Sequence, residues 1–264
     1  MVGEAQKNKE IIKGSVYLRL LNSGRWLGIN EDDKYTPASL MKVLIMIGYL
    51  KFAETDSLVL SQSLIYNGPR DKIERIEDQI IHNLKKGREY TIEELIRVMI
   101  QYSDNEAMYM LVDNLTQGIF RTLREIYSDL NIPFSDSLNE KDLENMSVKT
   151  YSMIFRVLYG STYLNLEMSN KALQLLSKTD FDEGIIEGVK GTNLLVAHKF
   201  GSRTVPAQNG SAIQKELHDC GIVYYPQHPY LLCVMTKGDN YSTLEKLIQR
   251  ISLTAYQGVS VLFK

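Results

Sequence analysis

The chain has 264 residues, with 30 basic and 32 acidic side chains and a formal net charge of −2. A chain of this length can bury one substantial core, and its balanced charge offers no broad attraction for nucleic acid or an anionic membrane. The longest apolar run, residues 43–50, is much shorter than the about 20 residues that a membrane-spanning helix needs. We therefore expect a soluble protein with no nucleic-acid partner and no membrane span.

The N-terminal segment is polar and contains no apolar stretch of the kind found in signal peptides, so the residues alone assign no compartment. The two cysteines, Cys220 and Cys233, lie in apolar, strand-like segments and are too few to form a disulfide framework. We expect both to be buried free thiols.

The elements predicted along the chain change in type twice. "SVYLRLLNSGRWLGI" at 15–29 predicts two short strands around an Asn-Ser-Gly turn. Residues 37–176 space their apolar side chains by three and four, which predicts helices. "NLLVAHKFGS", "HDCGIVYYP" and "YLLCVMTKG" then predict strands, and a last helix is expected to begin near Ser242.

Strands, then helices, then strands again favour an α+β fold in a single domain. We expect a sheet lobe at about 1–36 and 190–264. In this lobe, segments from both chain termini would form one antiparallel sheet with helices packed on it. An inserted all-helical lobe would occupy about 37–189. A cleft between the two lobes would be the natural place for a ligand.

The segment "YTPASLMKVLIMIGYL" at 35–50 is unusual, because an apolar helix that should be buried begins there with the polar residues Ser39 and Lys42. Residues three apart on a helix share one face, so the two side chains can meet. Pro37 suits a helix start, where free N–H groups and the helix dipole favour developing negative charge at Ser39. A neutral Lys42 in apolar surroundings could take the proton of Ser39.

An S-x-x-K spacing arises about once by chance in a chain of this length, so further elements are needed. "YSDNEA" places Ser103, Asp104 and Asn105 between two helical runs, although such residues are also common turns and helix caps. "HKFGS" places Lys199 at the end of an apolar strand, with Gly201 two residues later to allow close backbone approach. A solvated charge at a strand end would explain Lys199 equally simply.

Together, S-x-x-K, S-D-N and K-x-G in this order resemble the signature of class A β-lactamases and penicillin-binding proteins, the active-site serine hydrolases that recognise penicillin. The resemblance extends over nearly the whole chain. It implies that Ser39 is the acylated nucleophile, Lys42 its proton acceptor and Ser103 a proton relay to the leaving nitrogen. Asn105 would hydrogen-bond the amide side chain of the substrate, and Lys199 would help to hold Lys42 neutral or bind the substrate carboxylate. The N–H groups of Ser39 and Ser202 would form an oxyanion hole beside Gly201.

Two departures from the family pattern affect the expected reaction. Phe200 stands where K-x-G usually has Thr or Ser, whose hydroxyl helps to bind a substrate carboxylate, so Ser202 and Arg203 become the candidate carboxylate ligands. The E-x-x-L-N motif that supplies the deacylating base is also absent. In "SDSLNEKDLEN" at 135–145, either Glu140 serves as this base from a shifted position or the segment supplies no base. The acidic residues of the segment could equally form a solvated loop.

The expected activity is thus serine hydrolysis through an acyl-enzyme, most simply weak β-lactam hydrolysis, a reaction associated with antibiotic resistance. A D-alanyl-D-alanine peptidase, an esterase or a penicillin-binding sensor without turnover stays open. We expect a monomer that acts on a small molecule with no metal or cofactor, since His218, Cys220 and His228 fit buried structural roles better than a metal site. Resemblance alone suggests a periplasmic or extracellular location.

Overall fold

The computed structural model of the protein describes residues 1–69, 84–115, 117–130, 132, 146–206 and 213–263. The strands in these ranges are β1 (Lys13–Leu20), β2 (Trp26–Ile29), β3 (Ser63–Ile65), β4 (Glu89–Thr91), β5 (Val196–Pro206), β6 (Ile213–Val223) and β7 (Tyr230–Gly238). The α-helices are α1 (Val2–Lys7), α2 (Lys42–Ala53), α3 (Ile92–Gln101), α4 (Asn105–Asp113), α5 (Gln117–Asp129), α6 (Val148–Tyr159), α7 (Leu166–Leu176), α8 (Ile185–Gly188) and α9 (Tyr241–Leu262).

The main sheet has five antiparallel strands in the order β2-β1-β7-β6-β5, so the two ends of the chain meet at the β1–β7 pair. The α+β fold class is therefore confirmed. The N-terminal hairpin and the three late strands also lie where the sequence predicts them. The last helix begins at Tyr241, one residue before the expected start. Strand β5 forms one outer edge of the sheet.

Both faces of the main sheet are covered by helices, and each face has its own hydrophobic core. Alternate residues along a strand point to opposite faces. On β5, Ala197 joins the core shared with α2, α3 and α6, whereas Val196 joins the core shared with α1, α8 and α9. Helix α2 is apolar on all sides and nearly all of its residues are buried, as expected for a helix inside a core.

The prediction of an all-helical lobe is wrong in one respect, because β3 and β4 pair there as a small antiparallel sheet. Each strand has only three residues. A segment that short gives no detectable alternation of polar and apolar residues, so the sequence pattern could not predict it. None of the helices in the described ranges combines the length and apolar character needed to cross a membrane.

The prediction of free thiols at Cys220 and Cys233 is also wrong. Both residues are fully buried as expected, but a disulfide bond joins them. They occupy directly paired positions on β6 and β7. The bond depends on the register of two neighbouring strands, which the spacing of two cysteines does not specify.

Candidate active site

Ser39 lies in a tight turn that leads into the buried helix α2. The turn is a short 3-10 helix, Ala38–Met41, which follows Pro37 and runs directly into α2 at Lys42. The expected helix start is thus present, with Ser39 in a 3-10 turn rather than in the first α-helical turn. Ser39 is partly buried, and within the described part of the chain its side chain makes no hydrogen bond.

Lys42 is fully buried, and its amine reaches across to the S-D-N segment. Nζ donates to the backbone oxygen of Ser103 and, over 2.6 Å, to Oδ1 of Asn105, and it lies 3.3 Å from the Ser103 hydroxyl. Burial lowers the pKa of Lys42 to about 7, although the charge of Asp104 opposes this shift. The sequence prediction of a near-neutral amine at this position therefore agrees with the geometry.

The hydrogen bonds of Lys42 also orient its lone pair. The backbone oxygen of Ser103 and the side-chain oxygen of Asn105 can only accept, so they take the two hydrogens of a neutral amine. The remaining lone pair can then accept a proton from a hydroxyl. The chain folds locally to allow this, because Ser103 has a φ of 55° and is itself buried beside the amine.

The S-D-N segment forms the helix cap that its sequence allowed, and two of its residues contact Lys42. Asp104 is the N-cap of α4, and its carboxylate accepts a 2.8 Å hydrogen bond from the Ala107 N–H. This cap fixes the start of α4 between the flanking residues Ser103 and Asn105, which both face Lys42. Asn105 is exposed, and the hydrogen bond to Lys42 uses only its oxygen, so its amide N–H groups remain as donors for a ligand.

Lys199 is the second fully buried lysine, on the face of β5 that Ala197 shares with the helical lobe. Its Nζ donates to the backbone oxygen of Phe200 over 3.0 Å and lies 4.1 Å from the centre of the Phe200 ring. Burial and the nearby charge of Lys42 hold the pKa of Lys199 well below its usual range, against the opposing effect of Asp219. Lys42 is thus close enough to Lys199 for its charge to disfavour the protonated form of Lys199.

Phe200, the residue that departs from the family pattern, is packed into the protein. It is only 6% exposed, and its ring stacks on Phe181 with 4.3 Å between ring centres. An aromatic pair therefore occupies the position where the family usually has a hydroxyl. His198 and Asp219 also make a fully buried 2.8 Å contact, and Asp219 accepts a hydrogen bond from the Ile185 N–H at the start of α8.

Gly201 brings β5 against the turn that carries Ser39. A Cβ atom at Gly201 would lie 3.0 Å from the Pro37 oxygen and 3.2 Å from the Leu40 nitrogen, so only glycine leaves both backbones in place. Ser202 follows on the same strand and is partly buried. Arg203 is partly buried too and lies opposite Glu216 on β6. The structure thus brings Gly201 to Ser39, with Ser202 and Arg203 next along the strand.

Two residues that the sequence analysis did not assign to the site contact the backbone around Ser39. Tyr151 on α6 donates a 2.9 Å hydrogen bond to the Leu40 oxygen, and His218 on β6 contacts the Thr36 oxygen at 2.9 Å. The sequence analysis predicts a buried structural role for His218, and the residue is fully buried. Glu140, the candidate deacylating base, lies outside the described residues, as do its acidic neighbours.

This arrangement can perform acyl transfer to a serine. A hydroxyl stands at the start of a buried helix, and a lysine with a lowered pKa lies one turn away, beside a second hydroxyl that can relay a proton. In the described ranges, no group of three or more His, Cys, Asp or Glu side chains could hold a metal ion.

Comparison with known proteins places the chain in a family. A family model described as the beta-lactamase enzyme family matches residues 3–259. Among curated proteins, no sequence matches this chain significantly. The chain belongs to the beta-lactamase enzyme family. At the level of the family, this makes it a serine hydrolase of the β-lactamase type.

Several solved structures share the fold at low sequence identity. A beta-lactamase from Sphaerobacter thermophilus is 18% identical with a TM-score of 0.78, over 99% of this chain and 95% of that one. A class A beta-lactamase from Mycobacterium abscessus is 18% identical with a TM-score of 0.76, over 98% of each chain. A PBP-A mutant, solved as an acyl-enzyme complex with penicillin G, is 18% identical with a TM-score of 0.73, over 98% and 95%.

Proposed function

We propose that the protein hydrolyses β-lactams slowly through an acyl-enzyme formed on Ser39. One observation carries this proposal: the buried amine of Lys42, with a pKa of about 7, is bonded to Ser103 and Asn105 one helical turn from Ser39. A PBP-A mutant of the same fold forms a penicillin G acyl-enzyme, which adds support for the substrate class.

In the acylation step, the Ser39 oxygen attacks the β-lactam carbonyl carbon while Lys42 takes the hydroxyl proton. The N–H groups of Ser39 and Ser202 stabilise the oxyanion that forms. The C–N bond of the lactam then breaks, and the proton passes from Lys42 through the Ser103 hydroxyl to the leaving nitrogen. Lys42 returns to its neutral form, and the acyl group stays on Ser39.

Deacylation requires a water molecule and a base to activate it. Glu140 is the candidate in this proposal, and a base that is absent or poorly placed would slow this step by about 10²–10⁴-fold. For this reason we propose weak turnover. A D-alanyl-D-alanine peptidase or an esterase using the same acyl-Ser39 path is the second candidate. Phe200, which stacks on Phe181 and offers no hydroxyl to a substrate carboxylate, favours the esterase, because penicillins and D-alanyl-D-alanine peptides both carry such a carboxylate.

The test is an intact-mass time course with excess benzylpenicillin, comparing the unsubstituted protein with Ser39→Ala and with Ser23→Ala as a matched control on an exposed turn. We expect an adduct on the unsubstituted protein and on Ser23→Ala, and none on Ser39→Ala. An adduct that clears as the drug is consumed supports hydrolysis, whereas a permanent adduct favours the peptidase or a sensor. Unchanged labelling of Ser39→Ala, or no adduct on any variant, would overturn the proposal.

We also propose that the protein acts in the periplasm or outside the cell. The support is the family resemblance together with the buried disulfide between Cys220 and Cys233, because such bonds persist in oxidising compartments. Fractionation of the native host followed by immunodetection would test this.

A further inference from the structure

The turn before Ser39 has an unfavourable backbone conformation. Ala38 has a φ of 50°, in the left-handed region that a residue with a Cβ atom rarely adopts. Such a conformation persists only where the surroundings hold it. The position of the Ser39 hydroxyl therefore depends on contacts made by the residues on either side of Ala38.

One of these contacts comes from the sheet. The Nε2 atom of His218 lies 2.9 Å from the carbonyl oxygen of Thr36, two residues before Ala38. His218 is fully buried and is paired with Gly201 across β5 and β6. Gly201 itself closely approaches the Pro37 oxygen. His218 on β6 and its strand partner Gly201 on β5 thus both lie against the backbone of Thr36 and Pro37.

The partners of His218 define which ring nitrogen carries the proton. The Thr236 N–H can only donate, and it points to Nδ1 over 3.3 Å, so Nδ1 accepts. The Thr36 carbonyl can only accept, so Nε2 carries the hydrogen and donates it. Burial lowers the pKa of His218 to about 4, against the opposing effect of backbone hydrogen bonds to Thr36 and Leu217, and so keeps the ring neutral near neutral pH.

The other groups around His218 are consistent with a neutral ring used as a directional donor. The Tyr35 ring lies at a steep angle of 77° to the His218 ring, with 5.4 Å between ring centres. The Glu216 carboxylate lies 4.0 Å from Nε2, beyond hydrogen-bonding distance, and is 3.6 Å from the Lys237 amine. The short polar contact of Nε2 is therefore the one to Thr36.

We propose that His218 is a positioning residue for acylation, which holds the Thr36–Ala38 backbone through its Nε2–H and so aims the Ser39 hydroxyl. This inference rests on the proposed function, since it assigns a role within the acylation of Ser39. His218 touches no reacting atom, and it acts through the turn.

The test compares three substitutions that separate the two hydrogen bonds of the ring. His218→Gln can keep a donor near the position of Nε2, His218→Asn keeps an acceptor near Nδ1 but no donor to Thr36, and His218→Phe keeps a ring with neither. His228→Gln is the control, because His228 stacks on Phe263 and lies in the β6–β7 connection.

Acylation by benzylpenicillin is followed by rapid-quench mass spectrometry at several concentrations, which separates the acylation rate constant from the affinity of the initial complex. We expect His218→Asn and His218→Phe to lower the rate constant by about 10–100-fold, with affinity changed by less than about threefold. His218→Gln and His228→Gln should stay within about threefold of the unsubstituted protein. A fast His218→Phe, or a His218→Gln as slow as His218→Phe, would overturn the inference.

A second readout does not depend on acylation. In a sample with ¹⁵N-labelled histidine, the His218 ring should show a proton on Nε2 and a bare Nδ1 from pH 5 to pH 8. If the unsubstituted protein forms no adduct, the proposed function fails and the role of His218 in acylation fails with it, and the ring signal then tests the hydrogen bond from Nε2 to Thr36 by itself. A proton on Nδ1, or a ring that titrates in this range, would overturn it.

Discussion

The Lys42 amine donates a 2.6 Å hydrogen bond to Oδ1 of Asn105, across a sequence separation of 63 residues. This bond joins the start of α2 to the start of α4. It matters chemically because it uses one of the two hydrogens of a neutral amine and leaves the lone pair free to accept a proton. In the proposed function, the protonation state of Lys42 determines how fast Ser39 is acylated.

Acylation of Ser39 should therefore depend on pH in one direction. Burial disfavours the ammonium form and lowers the pKa of Lys42 to about 7, so the reactive base form increases as pH rises through that value. We expect the acylation rate constant to rise about tenfold per pH unit below pH 7 and to level off above it. Stopped-flow measurements with a chromogenic cephalosporin from pH 5 to pH 9 would check this, and a rate that falls on passing pH 7 would contradict it.

Asn105→Asp should move this pH profile. The substitution places a carboxylate at hydrogen-bonding distance from Lys42, and an opposite charge so close raises a lysine pKa by about one unit or more. The midpoint of the profile should shift upward by a similar amount, so that the variant is slower at pH 7 than at pH 9. Stopped-flow profiles of the variant and the unsubstituted protein give the two midpoints.

The control is Asn8→Asp, which makes the same charge change at an exposed residue that ends α1. Its midpoint should match that of the unsubstituted protein. Equal midpoints for Asn105→Asp and Asn8→Asp would mean that Lys42, which Asn105 contacts, does not set the pH profile of acylation.

Local sequence patterns predicted much of the fold, and they singled out the residues at the centre of the candidate site. The change from strand to helix and back to strand determined the fold class, because each element carries its own apolar period. Ser39 and Lys42 share one local segment, and so do Ser103 and Asn105. The spacing of such residues was readable without any knowledge of the tertiary structure.

What the sequence did not predict depends on contacts between distant segments. The contact of His218 with Thr36 spans 182 residues, and that of Tyr151 with Leu40 spans 111. Nothing near His218 or Tyr151 in the sequence indicates these partners, since strand register and helix packing bring them together. The disulfide was missed for the same reason, as its two cysteines become neighbours only through the pairing of β6 with β7.

The disulfide should be detectable by alkylation and should contribute to stability. Under denaturing conditions without a reductant, iodoacetamide should add no mass, and after reduction it should add two groups, on Cys220 and Cys233. Because the bond closes a short loop between paired strands, its loss in the double variant Cys220→Ala/Cys233→Ala should lower the free energy of unfolding by about 2–4 kcal/mol. Urea titration of both proteins measures this, and alkylation without reductant would show that the bond is absent.

Gly201→Ala should slow acylation through the Ser39 turn. The added Cβ atom would lie 3.0 Å from the Pro37 oxygen and 3.2 Å from the Leu40 nitrogen, and both are backbone atoms that cannot swing aside. The turn or β5 must then shift by a few tenths of an ångström, which should cost about 1–3 kcal/mol of folding stability. We expect the acylation rate constant to fall by about tenfold or more, because Ser39 moves relative to Lys42.

Gly258→Ala is the matched control, since a Cβ atom there meets nothing within 4 Å and the residue lies in α9. Alanine in place of a helical glycine should raise stability by up to about 1 kcal/mol and leave acylation unchanged. Thermal unfolding and rapid-quench acylation of the two variants separate the effects. If Gly201→Ala lost stability but acylated at the rate of Gly258→Ala, the close approach of β5 would serve the fold alone, and the Ser39 hydroxyl would be positioned by other contacts.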